Sequence, residues 1–553
     1  MTLTAWIEHP APDRGVSFWR DMQWQRHSYV ELAAGVRSKA TEFGEAGVRP
    51  GEVVPIVLGQ SADFILSFFG LIWMGAVPTV LPGPKALSGT SGYAPFVAGI
   101  AGISGVRHFV SEQRYRETLT AAFDSSGREV RPLELGWSAC AESGEQSHDG
   151  PVIMQFTSGS RGNPKGLCIT RENVEANLAM LREWAGFGDQ FGVSWLPLYH
   201  DMGLIGGMLT PVTTQAEAKL MSPGDFVRDP LVWLREYGHK RYEVMVMPNF
   251  GFEWVVRRVQ PQELQDCDFS AVRSVISGAE RVQLDTLSQF GALLQPGGFK
   301  FTALTPAYGL AEGTLAVTGV RPGQRALAVD LGQTIAPFGR RVTIRNETEI
   351  DGTQEVRAGW MVSCGMPLRG LELSIRDEDQ QELPDCVVGE IWVRGASVAR
   401  SYSTENGVID TDRVGDWLRT GDSGFVYNSE LYVVGRIGDS IKVRGEAVHM
   451  EDLEGQLVDV LQPSLFRRSC VVGSDSAEGP AVIIATEFAL EPAERVEIQR
   501  ILSGILGEAT KVGWLQLKAN DLPMTTSGKP RRREVWLRHH TDATVTTVGG
   551  GRI

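Results

Sequence analysis

Short apolar runs, each followed by a helix-length segment, set the rhythm of this chain. Residues 53–58 and 77–81 are nearly continuous apolar stretches, and the segment between them predicts a helix over 62–75. Strands that are apolar at every position bury both faces, which is the pattern of a parallel sheet with helices on either side. Residues 64–84 carry no charge and are long enough to cross a bilayer. Gly70, Gly75, Pro78 and Pro82 divide them, however, and the stretch reads as a buried helix followed by a strand. The same alternation continues for most of the chain. A helix is predicted over 29–46 behind Ser28 as N-cap, and another over 171–184. Strands are predicted at 152–156, 244–247, 272–276, 301–304 and 390–393. Alternating strands and helices imply an α/β architecture with mixed and parallel sheets covered by helices.

At 553 residues the chain is too long for one core and should divide into domains. Residues 140–150 are polar and loop-like. Residues 541–553 have little apolar content, with three glycines in a row, and are expected to be disordered. A net charge of −14 argues against a general nucleic-acid binder and against an anionic-membrane binder. The six cysteines are scattered without a Cys-x-x-Cys pair, which gives no zinc or redox motif and suits a reducing cytoplasm. The N-terminus has no basic segment followed by an apolar core, so no signal peptide is expected.

The candidate chemistry starts at Met154-Gln-Phe-Thr-Ser-Gly-Ser-Arg-Gly-Asn-Pro-Lys-Gly166. Gly159, Gly162 and Gly166 free the backbone to turn, so that successive N–H groups can converge on an anion. Thr157, Ser158 and Ser160 add hydroxyl donors and Lys165 adds a positive charge. The run is not a Walker A loop, and the buried strand before it argues against a plain linker. Further islands follow predicted strands: His200-Asp201, Pro248-Asn249-Phe250, Ser277-Gly278-Ala279-Glu280 and Tyr308-Gly309-Leu-Ala-Glu312. Ligands of open α/β sheets bind outside the carboxyl ends of strands, so these loops could share one cleft. Thr420-Gly-Asp422, Gly435-Arg436 and Thr525-Thr-Ser-Gly-Lys529 come later. Taken singly, His200 and Tyr308 would more often be core residues.

In this order the islands resemble the adenylate-forming superfamily of acyl-CoA synthetases, luciferases and peptide-synthetase adenylation domains. The resemblance covers roughly residues 15–540. It is nearest to the fatty acyl-AMP ligases, because Ser363-Cys-Gly-Met-Pro367 follows Thr318 only after a long stretch, where those enzymes carry an insertion. The resemblance implies a large N-terminal domain over 1–437, a hinge at Gly438, and a small mobile α+β domain over 439–540. It implies ATP and Mg²⁺ as cofactors and acyl-AMP plus pyrophosphate as products. Thr157, Ser158, Gly159, Ser160, Gly162 and Lys165 would hold the phosphates, and Glu312 with Thr157 the Mg²⁺. Ser277, Gly278, Ala279 and Glu280 would line the adenine, with Tyr308 and Gly309 against it. Asp422, assisted by Arg436, would bind the ribose. Lys529 would neutralise charge between carboxylate and α-phosphate, and His200 would stand where acyl channel meets nucleotide. Asn249, Phe250 and Phe252 would line the acyl pocket.

Three positions depart from the superfamily pattern: Arg161 replaces Thr, Gly438 replaces the usual Asp or Lys, and Ser401 replaces Gly. The implied substrate is a hydrophobic carboxylic acid. The implied acceptor is the phosphopantetheine thiol of an acyl carrier protein in trans, docked on Arg467, Arg468, Arg531, Arg532, Arg533 and Arg538. One alternative is an acyl-CoA synthetase that uses free CoA. Another, from a different class, is a non-catalytic acyl-nucleotide binding protein, against which the presence of Lys529 and Glu312 argues. No nucleic acid and no stable membrane insertion are expected.

Overall fold

The computed structural model describes residues 2–547 except 85–92, 126, 128, 137–143, 147, 159–163, 333–335, 337, 354–358, 438–439, 444–445, 458–459, 462–467, 477–478, 507–510, 525–529, 533 and 536–543. The expected hinge Gly438 and the catalytic candidate Lys529 therefore lie outside the described residues, as do Gly159, Ser160, Arg161 and Gly162.

The parallel sheet expected from the apolar runs is present. Val77–Val80, Val53–Val57, His108–Ser111 and Arg131–Leu133 pair side by side, all parallel. The helix Ala62–Trp73 packs beside them, buried along its length from Phe64 to Trp73. Helix Tyr29–Glu45 lies against it and begins with a capping box. There Ser28 Oγ accepts from the Glu31 N–H and the Glu31 carboxylate accepts from the Ser28 N–H, so two end donors are satisfied reciprocally. Among the described residues no helix is long and apolar enough to cross a membrane.

A second core surrounds the parallel strands Val244–Met247, Ser274–Ser277 and Leu304–Gly309, extended antiparallel by Ala316–Gly319 and Met366–Pro367. The strand expected at 301–304 is corrected here. Phe301–Ala303 is a turn of 3₁₀ helix, with Phe301 packed toward Phe299 and Gly291 in the core, and the strand runs from Leu304 across Pro306. The long stretch before Ser363 is not a plain loop. Its strands Asn346–Glu349, Leu327–Asp330 and Trp360–Val362 form an antiparallel sheet. Val329, Leu331, Val342 and Met361 of this stretch share a core with Phe425 and Tyr432. That core backs onto an antiparallel sheet that includes Gly389–Gly395, Trp417–Tyr427 and Glu430–Arg436.

Beyond residue 439 the chain forms an α+β unit. Ser469–Ser476, Gly479–Thr486 and Lys511–Gln516 make a sheet against which helices Met450–Leu457 and Pro492–Leu506 bury Leu453, Leu457, Ile498 and Leu502. The disordered tail expected over 541–553 is corrected in part, because Thr544–Thr547 pairs antiparallel with Lys511–Gln516 and covers that sheet edge. The proposed arginine face also changes. Arg532 is buried, donates to the Val471 carbonyl at 3.1 Å and to Glu454 at 2.6 Å, and is a structural residue rather than a docking one. Arg467, Arg533 and Arg538 lie outside the described residues.

Candidate active site

The glycine-rich loop joins two antiparallel strands, Pro151–Ser158 and Pro164–Thr170, as a hairpin. A strand therefore separates it from the helix Arg171–Ala185 that the pattern predicts. Thr157 and Ser158 end the first strand, and Thr157 stands opposite Lys165 in the ladder. Gly166 lies within the second strand. A Cβ there would sit 2.6 Å from Met154 Sδ, so this glycine serves close cross-strand packing, not a phosphate turn.

Two polar groupings bring the sequence-predicted residues together. In the first, strand register sets Asp422 opposite Arg436, and Tyr308 reaches the same carboxylate from the end of strand Leu304–Gly309. The Tyr308 hydroxyl donates to Asp422 Oδ2 at 2.7 Å and the Arg436 guanidinium donates to Oδ1 at 3.2 Å. Burial, then the Asp422 charge, pushes the Tyr308 phenol well above its ordinary pKa, so it remains a proton donor. In the second grouping, the Tyr402 hydroxyl donates to the Glu312 carboxylate. The Lys165 ammonium lies over the Tyr402 ring, 5.6 Å from its centroid. Tyr402 thus joins the expected metal ligand to the expected phosphate-binding lysine.

The turn that carries Glu312 is fixed from three sides. Buried Asn177 donates to the carbonyls of Gly313 and Ala316 at 3.2 and 3.1 Å. The Thr314 hydroxyl donates to Ser397 O at 2.6 Å, and the Ala399 N–H donates to Glu312 O at 2.8 Å. Thr314 has φ +72°, a conformation a β-branched residue adopts only when its surroundings impose it. Ala279, expected beside the adenine, has φ +67°, a second such departure. The half-buried Glu312 carboxylate, a hard oxygen donor, and the adjacent lysine fit a Mg²⁺–phosphate pair in chemistry.

Gly278, Ala279, Tyr308 and Gly309 also border a cavity. Its interior is apolar. Leu181 and Trp184 come from the helix Arg171–Ala185, Phe187 and Phe191 from the segment after it, and Val246 and Ile276 from the parallel sheet. Met202, Gly206 and Thr210 come from the segment that begins at His200-Asp201. That segment forms a π-helix over Met202–Leu209, a wider coil often found at functional sites, and the Asp201 carboxylate accepts from the Met202 N–H at 2.7 Å. His200 precedes it with its Nε2 buried and unpartnered, an atom whose burial costs free energy unless a ligand satisfies it.

The residues expected to form the acyl pocket do not line this cavity. Phe252 is fully buried and packs edge-on against Phe290, 4.9 Å between centroids. Phe250 packs against Trp195. Asn249 is buried and accepts from the Gln283 N–H at 3.0 Å, tying two loops together. Glu280 is likewise engaged in structure, since its carboxylate accepts from the Phe250 N–H at 2.6 Å and caps the helix Asn249–Arg258. Ser277 lies at the end of its strand, its hydroxyl buried without a partner.

A family model described as AMP-binding enzyme matches residues 5–403. The chain is 28% identical to a 4-hydroxyphenylalkanoate adenylyltransferase of Mycobacterium marinum over 94% of its own length and 86% of the relative's. It is 29% identical to a medium-chain-fatty-acid–[acyl-carrier-protein] ligase, JamA, of Moorena producens, over 91% and 88%. A solved structure from studies of fatty acyl-adenylate ligases of E. coli and L. pneumophila superposes with a TM-score of 0.85 at 27% identity, covering 98% of both chains. The adenylate-forming fold, the Tyr308–Asp422–Arg436 and Lys165–Tyr402–Glu312 groupings and the match over most of its length agree: the chain belongs to the AMP-binding enzyme family.

Proposed function

We propose that this enzyme activates a hydrophobic carboxylic acid with ATP, forming acyl-AMP and pyrophosphate, and passes the acyl group to the phosphopantetheine thiol of a carrier protein in trans. The observation that carries the reading is the apolar cavity opening among Gly278, Ala279 and Tyr308, beside the Asp422 carboxylate. An acid seated tail-first in it would present its carboxylate at the nucleotide end. Asp422 would bind the ribose hydroxyls, and Tyr308 and Arg436 fix its orientation. Lys165, Thr157 and Ser158 would meet the phosphates, and Glu312 would hold Mg²⁺, which would offset phosphate charge. A carboxylate oxygen bonds to the α-phosphorus as the bond to pyrophosphate breaks. The role proposed for Lys529 is to neutralise the charge that gathers between those two anions. Domain closure brings it in, and rotation at Gly438 withdraws it to admit the thiol. The thiolate then attacks the acyl carbon and expels AMP.

The carrier acceptor rests on the resemblance and on the name of the JamA relative. It is tested by incubating the enzyme with ATP, Mg²⁺ and a hydrophobic acid, then adding CoA or phosphopantetheinylated carrier protein. Acyl-AMP should persist with CoA and be consumed by the carrier. Rapid acyl-CoA formation would replace the carrier with CoA.

A further inference from the structure

We propose that His239, Asp266 and Cys267 form a binding site for a zinc-class divalent cation, separate from the cavity and from the nucleotide groupings. His239 is in the last turn of helix Pro230–Lys240, and Asp266 and Cys267 follow the turn Pro261–Leu264, so the three meet across a gap in sequence that no motif marks. His239 Nε2 lies 3.3 Å from Asp266 Oδ2 and 3.8 Å from Cys267 Sγ, and Sγ lies 3.9 Å from Asp266 Oδ1. One ligand atom from each residue can be chosen so that all lie within 4.8 Å of one another.

The His239–Cys267 separation is close to what a tetrahedral ion needs, and a turn of the Asp266 carboxylate would bring one oxygen to both partners. Bonds of about 2.0–2.1 Å to nitrogen and oxygen and about 2.3 Å to sulfur put neighbouring ligand atoms about 3.3–3.6 Å apart. His239 and Asp266 are exposed and free to make the remaining adjustment by side-chain rotation, while Cys267 is held. The Asp268 N–H donates to Gly238 O at 3.0 Å, and the Cys267 N–H donates to Leu264 O at 3.0 Å. A Cβ on Gly238 would fall 2.5 Å from Cys267 Cβ, so a glycine is needed beside His239 for the two segments to approach this closely.

The donor set selects the ion. One thiolate, one imidazole and one carboxylate suit Zn²⁺ or Co²⁺, whereas Mg²⁺ prefers oxygen ligands throughout. Three protein ligands leave a fourth position for water. Ligation by the thiolate releases the Cys267 proton to solvent on binding near neutrality.

The test is titration of the metal-free full-length enzyme with Co²⁺, in Mg²⁺ buffer, followed by visible and near-ultraviolet absorption. One equivalent should give thiolate-to-cobalt charge transfer with tetrahedral ligand-field bands, and Zn²⁺ should displace it. His239→Ala alters an exposed residue and should keep the fold, yet weaken binding at least about tenfold, the scale at which even residues outside the coordination shell act. Cys267→Ser should abolish the charge-transfer band. Pyrophosphate release should be unchanged in His239→Ala. Absence of a stoichiometric band in the parent, or an equal band in both variants, would overturn the site and leave His239–Asp266 as an ordinary ion pair.

Discussion

Gly206→Leu tests whether the apolar cavity is where the acid's tail goes. Gly206 lines the cavity from the π-helix Met202–Leu209, and a Cβ built on it would meet only Leu315 Cδ2, at 3.1 Å. Leu315 lines the same cavity and its side-chain end can give way. The substitution therefore places four carbons in space a substrate tail would fill. Apolar burial is worth about 0.8 kcal/mol per methylene. Excluding three or four methylenes would cost about 2.4–3.2 kcal/mol, roughly 10²-fold in kcat/KM for long acids. Short acids that end before Gly206 should be spared. Stability should not fall, since replacing a helical glycine gains up to about 1 kcal/mol. The assay is pyrophosphate release across a homologous series of straight-chain acids, with thermal unfolding in parallel. Equal slowing at every chain length, or no change in a folded variant, would refute the placement of the tail.

Asp422→Asn should weaken AMP binding by about 1.5–3 kcal/mol, the scale of a hydrogen bond to a charged group, and calorimetric titration that finds unchanged affinity would remove Asp422 from the nucleotide site. Lys529→Ala should slow acyl-AMP formation by about 10²–10³ while thiol transfer from supplied acyl-AMP survives; equal losses in separately assayed half-reactions would contradict a two-state mechanism. Glu430→Gln should raise thermal stability near neutral pH. Burial raises the Glu430 pKa, and its Oε2 is buried without a partner. For an acid whose folded pKa lies above its unfolded one, the penalty is absent below the unfolded value and complete above the folded one. The gain should therefore vanish in unfolding scans at acidic pH, and a gain that persists there would point to packing.

The strand-and-helix order was legible because apolar runs and caps act locally. Ser28 with Glu31, and the buried strand Val244–Met247, follow directly from residue type and spacing. Pro306 hides a central strand, because proline lacks the N–H a ladder uses, yet this strand tolerates it. Tyr308, Asp422 and Arg436 stand in separate motifs, and only register and the fold bring Tyr308 and Arg436 to the Asp422 carboxylate. Tyr402 carried no signal as the partner of Glu312, since that contact joins a turn and a strand far apart in sequence. That Asn249, Phe250 and Phe252 do not line the apolar cavity has the same reason. Aromatic residues at Phe250 and Phe252 mark a core as readily as a channel, and which face of a helix meets a cavity depends on packing. His239, Asp266 and Cys267 carry no spacing signature at all. The sheet within residues 320–362 means that its deletion would expose Phe425 and Tyr432.

The central claim is that an acid's carboxylate attacks the α-phosphorus of ATP at the Lys165–Tyr402–Glu312 and Tyr308–Asp422–Arg436 groupings. Its most direct test is transfer of label from a hydrophobic acid carrying isotopically labelled carboxylate oxygens. Acyl-AMP should form, and the AMP released after thiol attack should retain one labelled oxygen. Unlabelled AMP, with pyrophosphate still released, would place the attack elsewhere, and binding of ATP without any acyl-AMP would contradict the account.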